Sequence, residues 1–274
     1  MDDTQKRSAA GPATPRQVTI VAHSMLFYWW PVWAVGLVLA GLTWLDGHRL
    51  AVVPAGTEVV ENYDGGRQAL VLPAGARLPQ DPATGKPSGP SIRMASHSGY
   101  GVIFFVVVLL VVLITNVPIR GLWSVVALVT LVLGTIILAL AGWWDDILEA
   151  VVHSRVYINA FGYLGLSLPL LVLWFVVTLF FDRQIYMIFS PGQLQVHQEI
   201  GGGEVAYDTV GMVVAKRRSG LFRHWLLGLG SGDLVVNTAG ANAQKFEMHN
   251  VLFIGTKLEL IQQMLKTREM AGSP

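Results

Sequence analysis

Residues 101–117, GVIFFVVVLLVVLITNV, and residues 122–142, LWSVVALVTLVLGTIILALAG, decide the architecture of this chain. Neither run holds a charged residue, and only Pro118-Ile119-Arg120-Gly121 separates them. A helix needs about 20 predominantly apolar residues to cross the hydrocarbon core of a bilayer, with about 17 as the lower end. Both runs fall in that range, and so short a link makes them an antiparallel helical hairpin.

Outward from the hairpin, the same composition recurs twice. Residues 25–45 form an apolar run carrying Trp29, Trp30, Trp33 and Trp44, with Pro31 near its start. Tryptophan near both ends suits the two membrane interfaces. A cleaved signal peptide would show an apolar core of about 7–15 residues and a small-residue cleavage site. No clear site follows, so the run reads as an uncleaved span. Residues 160–181 are the fourth run, with Pro169 as the expected kink. Between hairpin and fourth run, residues 143–159 place Ile147, Leu148, Val151, Val152 and Val156 at helical spacing. Asp145, Asp146, Glu149 and Arg155 lie on the other side, as in a helix at the membrane surface or extending the third span. The expected class is therefore a membrane α-helical protein with about four transmembrane helices over residues 25–181.

Composition agrees. The chain is 53% hydrophobic and 14% charged, where soluble domains carry about 25% charged residues. Basic and acidic residues number 19 and 18, so there is no basic excess to hold a nucleic acid. Cysteine is absent, which excludes disulfides, thiolate metal sites and thiol nucleophiles. Placing residues 1–24, Arg120 and everything from Asp182 on one side gathers 13 Lys and Arg there against 6 opposite. The positive-inside rule makes that side cytoplasmic, with both termini inside. The polar residues 1–24, with Lys6, Arg7 and Arg16, read as a mobile cytoplasmic tail. Residues 46–99 read as a Gly/Pro-rich extracytoplasmic lobe. Strands are expected at 50–53 and 69–72, the second after the turn Asp64-Gly65-Gly66, and a loop over 80–90.

From Asp182 the pattern changes to short strands. They are expected at 184–190, 193–200, 204–207, 210–217, 232–238 and 245–249. Pro191-Gly192 and Ala239-Gly240-Ala241-Asn242 supply turns, and Gly201-Gly202-Gly203 breaks the chain. A closing helix follows, with Thr256 and Glu259 as a capping-box pair and Leu258, Ile261, Met264 and Leu265 as one apolar stripe.

This part of the chain resembles the bacterial pleckstrin-homology-like (PH-like) family of membrane-associated domains. The residues that carry the resemblance are Arg218-Ser219-Gly220-Leu221-Phe222-Arg223, Leu226-Leu227-Gly228-Leu229-Gly230, residues 232–240 (GDLVVNTAG) and Phe246-Glu247-Met248-His249-Asn250-Val251. They cover roughly a third of the chain. The resemblance implies a small, bent β-barrel or sandwich over 182–270, capped by a helix and serving docking or assembly, with lipid binding in some members. Eukaryotic relatives bind phosphoinositides with basic residues around the first hairpin. Here that hairpin, Ser190-Pro191-Gly192-Gln193, has none.

Few residues suggest chemistry. Lys216, Arg217, Arg218 and Arg223, with Trp225 beside them and His224 among them, are the candidate lipid or partner contacts. Each cation near an anionic surface is worth about 1 kcal/mol. Gly228, Gly230 and Gly232 superficially suggest a phosphate loop, but a strand rather than a helix follows, so they read as a turn and close backbone packing. Asp145, Asp146 and Glu149 read as a solvated helix face. The seven histidines include no H-x-x-x-H or H-E-x-x-H pair. No charge lies within a span, as ion pathways require, and no nucleophile elbow occurs.

The expectation is a non-enzymatic multi-pass protein of the bacterial cytoplasmic membrane, with no cofactor or metal. It is a scaffold or assembly subunit whose PH-like domain docks membrane lipids, other membrane-protein subunits or copies of itself. The alternative is an accessory subunit of a membrane transport or lipid-processing system.

Overall fold

The computed structural model describes residues 17–116, 122–197, 203–217, 223–228, 230–240 and 243–271. The chain divides into two compact units: residues 1–32, 108–143 and 169–274 form one, and residues 33–107 and 144–168 the other.

The helices lie close to where apolar composition predicts them. They are α1 (Trp30–Asp46), α2 (Gly99–Asn116), α3 (Leu122–Leu140), α4 (Trp143–His153) and α5 (Ala160–Val176). A 3-10 turn, Met25–Trp29, leads into α1, and a π-helical turn, Val177–Phe181, prolongs α5. Among the described residues, three segments are long and apolar enough to cross a membrane: Met25–Asp46, Gly99–Asn116 and Ala160–Gln184. A fourth is available if the bent pair Val125–Leu140 and Trp143–Val151 acts as one. Local chemistry sets the ends. Pro31 sits in the first turn of α1, where no helical bond to its nitrogen is needed. Gly47 (φ +74°) and Gly142 (φ +72°) take the left-handed conformation that stops α1 and α3. Asn159 caps α5, its Oδ1 accepting the Gly162 N–H at 2.6 Å. Pro169 lies inside α5 as expected, so the Gly165 carbonyl has no helical donor there.

The helix expected over 143–159 is shorter. It stops at His153, and Arg155 turns left-handed (φ +48°). Asp145 and Asp146 fall in its first turn, where carboxylates meet the positive end of the helix dipole.

In the second unit, α1 meets α5, and α2 meets the segment before α5, through small residues. A Cβ on Gly36 would collide with the Ser167 hydroxyl, and one on Gly101 with the Val156 carbonyl. Phe104 and Tyr163 meet edge to face, ring centroids 5.3 Å apart. The lobe after α1 holds four short strands: β2 (Arg49–Leu50) pairs with β5 (Ile92–Arg93), and β3 (Glu58–Tyr63) with β4 (Arg67–Val71). Asp46 Oδ2 accepts the Ser96 N–H (2.6 Å) and hydroxyl (3.0 Å), while Arg93 stacks 3.7 Å from the Trp44 ring, so the lobe's two ends are tied at the end of α1. The expected strand at 50–53 ends at Leu50, and β3, whose adjacent valines break alternation, is a strand the pattern does not announce.

The first unit holds the sheet module. Its strands are β6 (Tyr186–Ser190), β7 (Gln193–His197), β8 (Val205–Asp208), β9 (Val213–Arg217), β10 (Gly232–Asn237) and β11 (Lys245–Val251), closed by α6 (Ile254–Ala271). A further strand, β1 (Val18–Val21), comes from the N-terminal segment. It pairs antiparallel with β6, Ile20 opposite Met187. The tail expected over residues 1–24 is thus corrected for residues 17–24, while 1–16 lie outside the described residues. The physical reason is burial: Val18 and Ile20 alternate into the core, and a fully buried aliphatic side chain contributes about 1.5–3 kcal/mol. The described strands form two antiparallel sheets, β1-β6-β7-β8 and β11-β10-β9, and not a closed barrel. Met187, Phe189, Leu194, Leu234, Val236, Met248 and Val251 fill the space between them. Helix α6 covers that core with Ile261 and Met264, flanked by Leu258 and Leu265, which is the expected stripe. It starts at Ile254, so Thr256 lies inside its first turn and the capping box is not formed.

Candidate functional site

A buried network of polar side chains lies where the sheet module meets the entrance to α1, wholly within the first unit. The 3-10 turn carries Tyr28, which is fully buried. Its hydroxyl lies 3.0 Å from each of His224 Nδ1, Ser231 Oγ and Asn250 Oδ1. His224 sits on a π-helical turn, Arg223–Leu227, Ser231 just before β10, and Asn250 on β11. The register of β10 against β11 shifts between Gly232 and Leu234, and Asn250 adopts φ +55°, a conformation Asn tolerates better than most residues.

Hydrogen-bond inventory fixes the direction of the chain. Arg223 Nη2 lies 3.2 Å from His224 Nε2, and a guanidinium only donates. Nε2 therefore accepts, and Nδ1 carries the imidazole proton, which it donates to Ser231 Oγ at 2.9 Å. The serine hydroxyl then donates to Tyr28, Tyr28 to Asn250 Oδ1, and Asn250 Nδ2 to the His23 carbonyl at 2.8 Å. A one-way relay of donors thus runs from Arg223 to the backbone just ahead of α1. Asp233 anchors it: one carboxylate oxygen accepts from Arg223 Nη2 (3.2 Å), the other from the Asn250 N–H (3.1 Å). Each such bond contributes about 0.5–1.5 kcal/mol net, but orphaning a buried partner costs about 1–3 kcal/mol.

Further bonds tie the same corner. Trp30 Nε1 donates to the Leu227 carbonyl and Trp174 Nε1 to the Phe27 carbonyl, each at 3.0 Å. The backbone N–H of His23 reaches the His249 carbonyl at 3.1 Å, and that of Ala22 the Ile185 carbonyl at 3.1 Å. Buried Asp182 lies beside Ser24 and His23. Burial pushes the His23 imidazole below its usual range, and the Asp182 charge opposes that shift.

The glycines earn their places here. A Cβ on Gly228 would collide with the Ser231 hydroxyl, the Tyr28 ring and the His224 backbone. One on Gly232 would lie 2.8 Å from Ile254 Cγ2, and Gly230 has φ +82°. This is the close packing expected of them, and a strand does follow.

Among the described residues, the basic side chains have different surroundings. Arg223, its side chain 14% exposed, points into the relay, and His224 is buried with it. Arg217, 45% exposed, pairs with Glu247 at 3.3 Å. Lys245 binds the same carboxylate at 2.6 Å and, with Arg217, holds it below the usual carboxylate range. Lys216 is exposed, its stem passing over Gly232. Arg218 lies outside the described residues. Trp225 sits on the π-helical turn, but its side chain is outside them too. Sequence reasoning found Arg223 and His224 but assigned them outward. It missed Tyr28, Ser231, Asp233 and Asn250, whose only signal was a tyrosine amid tryptophans and an aspartate opening a strand.

Ser231, His224 and Asp233 superficially suggest a nucleophile, base and acid. The geometry does not serve that chemistry. Ser231 is buried, its hydroxyl is committed to Tyr28, and His224 Nε2 lies 3.7 Å from Asp233, beyond hydrogen-bond reach. Among the described residues no group of three or more His, Asp or Glu could hold a metal ion. No family model, no curated protein and no solved structure matches the chain.

Proposed function

We propose that this protein is a non-enzymatic, multi-pass membrane scaffold or assembly subunit. Its sheet module, of PH-like type, docks lipid or protein on the cytoplasmic face of a bacterial inner membrane. The observation that carries the reading is the buried relay from Arg223 to His23. A module bonded through Tyr28, Trp30 and Asn250 to residues 23–30, the entrance of the first candidate span, is anchored there rather than joined by a free linker. A fixed presentation serves docking, because a pre-oriented surface loses less freedom when a partner binds. The residues resembling the PH-like family and the two antiparallel sheets closed by α6 support the same reading. Purification of the full chain in mild detergent, followed by native mass measurement and crosslinking, tests it. A stoichiometric partner or a defined homo-oligomer is expected. Bare monomer with nothing bound would overturn the proposal.

One observation favours the alternative, an accessory subunit of a transport or lipid-processing system. In the second unit Thr43, Tyr163 and Ser167 are fully buried, and their hydroxyls have no hydrogen-bond partner among the described residues. Buried hydroxyls between apolar helices call for a polar guest or water. Loss of a co-purifying transporter on Ser167→Ala, with the chain still folded, would favour this second reading.

A further inference from the structure

The hairpin β3–β4 has two open edges, and they are unlike. Strand β3 carries Glu58 and Glu61, and it is bulged: between the pairs Val60–Ala69 and Tyr63–Arg67 it advances three residues against two on β4. Charges and bulges are the devices that keep a sheet edge from pairing. Strand β4 has neither along its length, only Arg67 at its first residue. The hairpin also leaves Val59 (63%), Leu70 (52%) and Val71 (48%) exposed. A two-stranded ribbon is marginal in water, and a longer sheet with a covered face is not.

We infer that the β4 edge is an interaction surface and that its occupant is β4 of a second copy of this chain. The two strands run antiparallel about a twofold axis at Ala69, giving a four-stranded sheet. The charges select this occupant. With Ala69 opposite Ala69, Arg67 faces Val71 and Gln68 faces Leu70 of the second copy, so no like charges meet. One cross-strand row then reads Glu58, Val71 and Arg67 of the second copy, setting opposite charges on either side of each valine. Self-pairing through β3 would gather four carboxylates, Glu58 and Glu61 of each copy, along one seam and would have to accommodate the bulge in both strands. Pairing β3 with β4 is head-to-tail and gives no closed pair. The inference concerns the second unit, and it stands whether or not the sheet module docks a partner.

The chain has no cysteine, so single cysteines report contacts without background. The full chain is kept in its native membrane, oxidised with copper phenanthroline, and run on non-reducing gels with mass identification. Ala69→Cys on β4 is expected to give a covalent homodimer, several-fold more than Val59→Cys or Glu61→Cys on β3. Should Ala69→Cys fail to accumulate, the double substitution Gln68→Cys with Leu70→Cys reads the same edge. Equal crosslinking from both strands, no crosslink from β4 in a protein that accumulates, or a β4 crosslink to a different protein would each overturn the inference.

Discussion

The sheet module and the 46–99 lobe are built from the same material, short antiparallel strands joined by glycine turns, and they end up as opposites. In the module Ile20, Met187, Leu194 and Leu234 are fully buried. In the lobe Val59, Val60, Leu70 and Val71 are exposed. The difference is the number of layers. Two sheets and α6 enclose a volume, whereas one hairpin has nothing opposite its faces. Strand propensity is comparable in the two regions, so what separates them is tertiary partnership, supplied to the module in part by a segment from the far end of the chain.

The predictions follow that contrast, from the largest effect downward. Deleting Val18–Val21 removes two core side chains and opens the β6 edge. The amides of β6 and β11 are expected to lose hydrogen-exchange protection together, while those of β2 and β5 keep theirs. Asp233→Ala strands Arg223 inside the protein. Breaking a buried pair from one side costs about 3–5 kcal/mol, read as a lower unfolding midpoint in detergent. Tyr28→Phe keeps the ring but cuts the relay, leaving Ser231 and Asn250 without their partner. A loss of about 1–3 kcal/mol is expected, and much less if water enters the gap.

Acidity gives the next test. Burial lowers the His23 pKa from 6.5, so the unfolded chain binds the proton more readily than the folded one. Stability from this group is complete above pH 6.5 and falls as pH drops through the lower folded value. The groups acting on it are Asp182, which opposes the shift, and Lys257 of α6, which reinforces it. Unfolding midpoints measured from pH 7.5 down to about 5 should decline, and His23→Gln should flatten part of that decline. The smallest effect belongs to the lobe. Val59→Thr at a 63% exposed site should move stability by less than about 0.5 kcal/mol. A large loss there would mean the hairpin is not the loosely held element its exposure implies.

Much of this architecture was legible. Apolar runs announced the helices to within a few residues because hydrocarbon length is a strict criterion. The turn Pro191-Gly192 announced the β6–β7 hairpin, since Gly192 takes φ +98°. Strand β1 is hidden because Val18-Thr19-Ile20-Val21 is short and its partner β6 lies beyond all the candidate spans among the described residues. The relay was hidden for the same reason: Tyr28 is 196 residues from His224 and 222 from Asn250. Arg223 was read as surface because its charge is visible in the sequence, whereas the approach of Asp233 depends on β10 folding back beside the π-helical turn. Side-chain chemistry could be read locally, and its pairing could not.

The pairing of β1 with β6 also counts. A strand before the first helix and a strand after the last lie in one sheet, so on the membrane-spanning reading they share one side of the bilayer. A path that leaves a side and returns to it makes an even number of crossings. Met25–Asp46, Gly99–Asn116 and Ala160–Gln184 alone make an odd number. If all three of these cross, the bent pair of α3 and α4 is the remaining segment apolar enough among the described residues to make the number even. Four paired residues near the N-terminus thus constrain, on the membrane-spanning reading, how many crossings lie between them and β6.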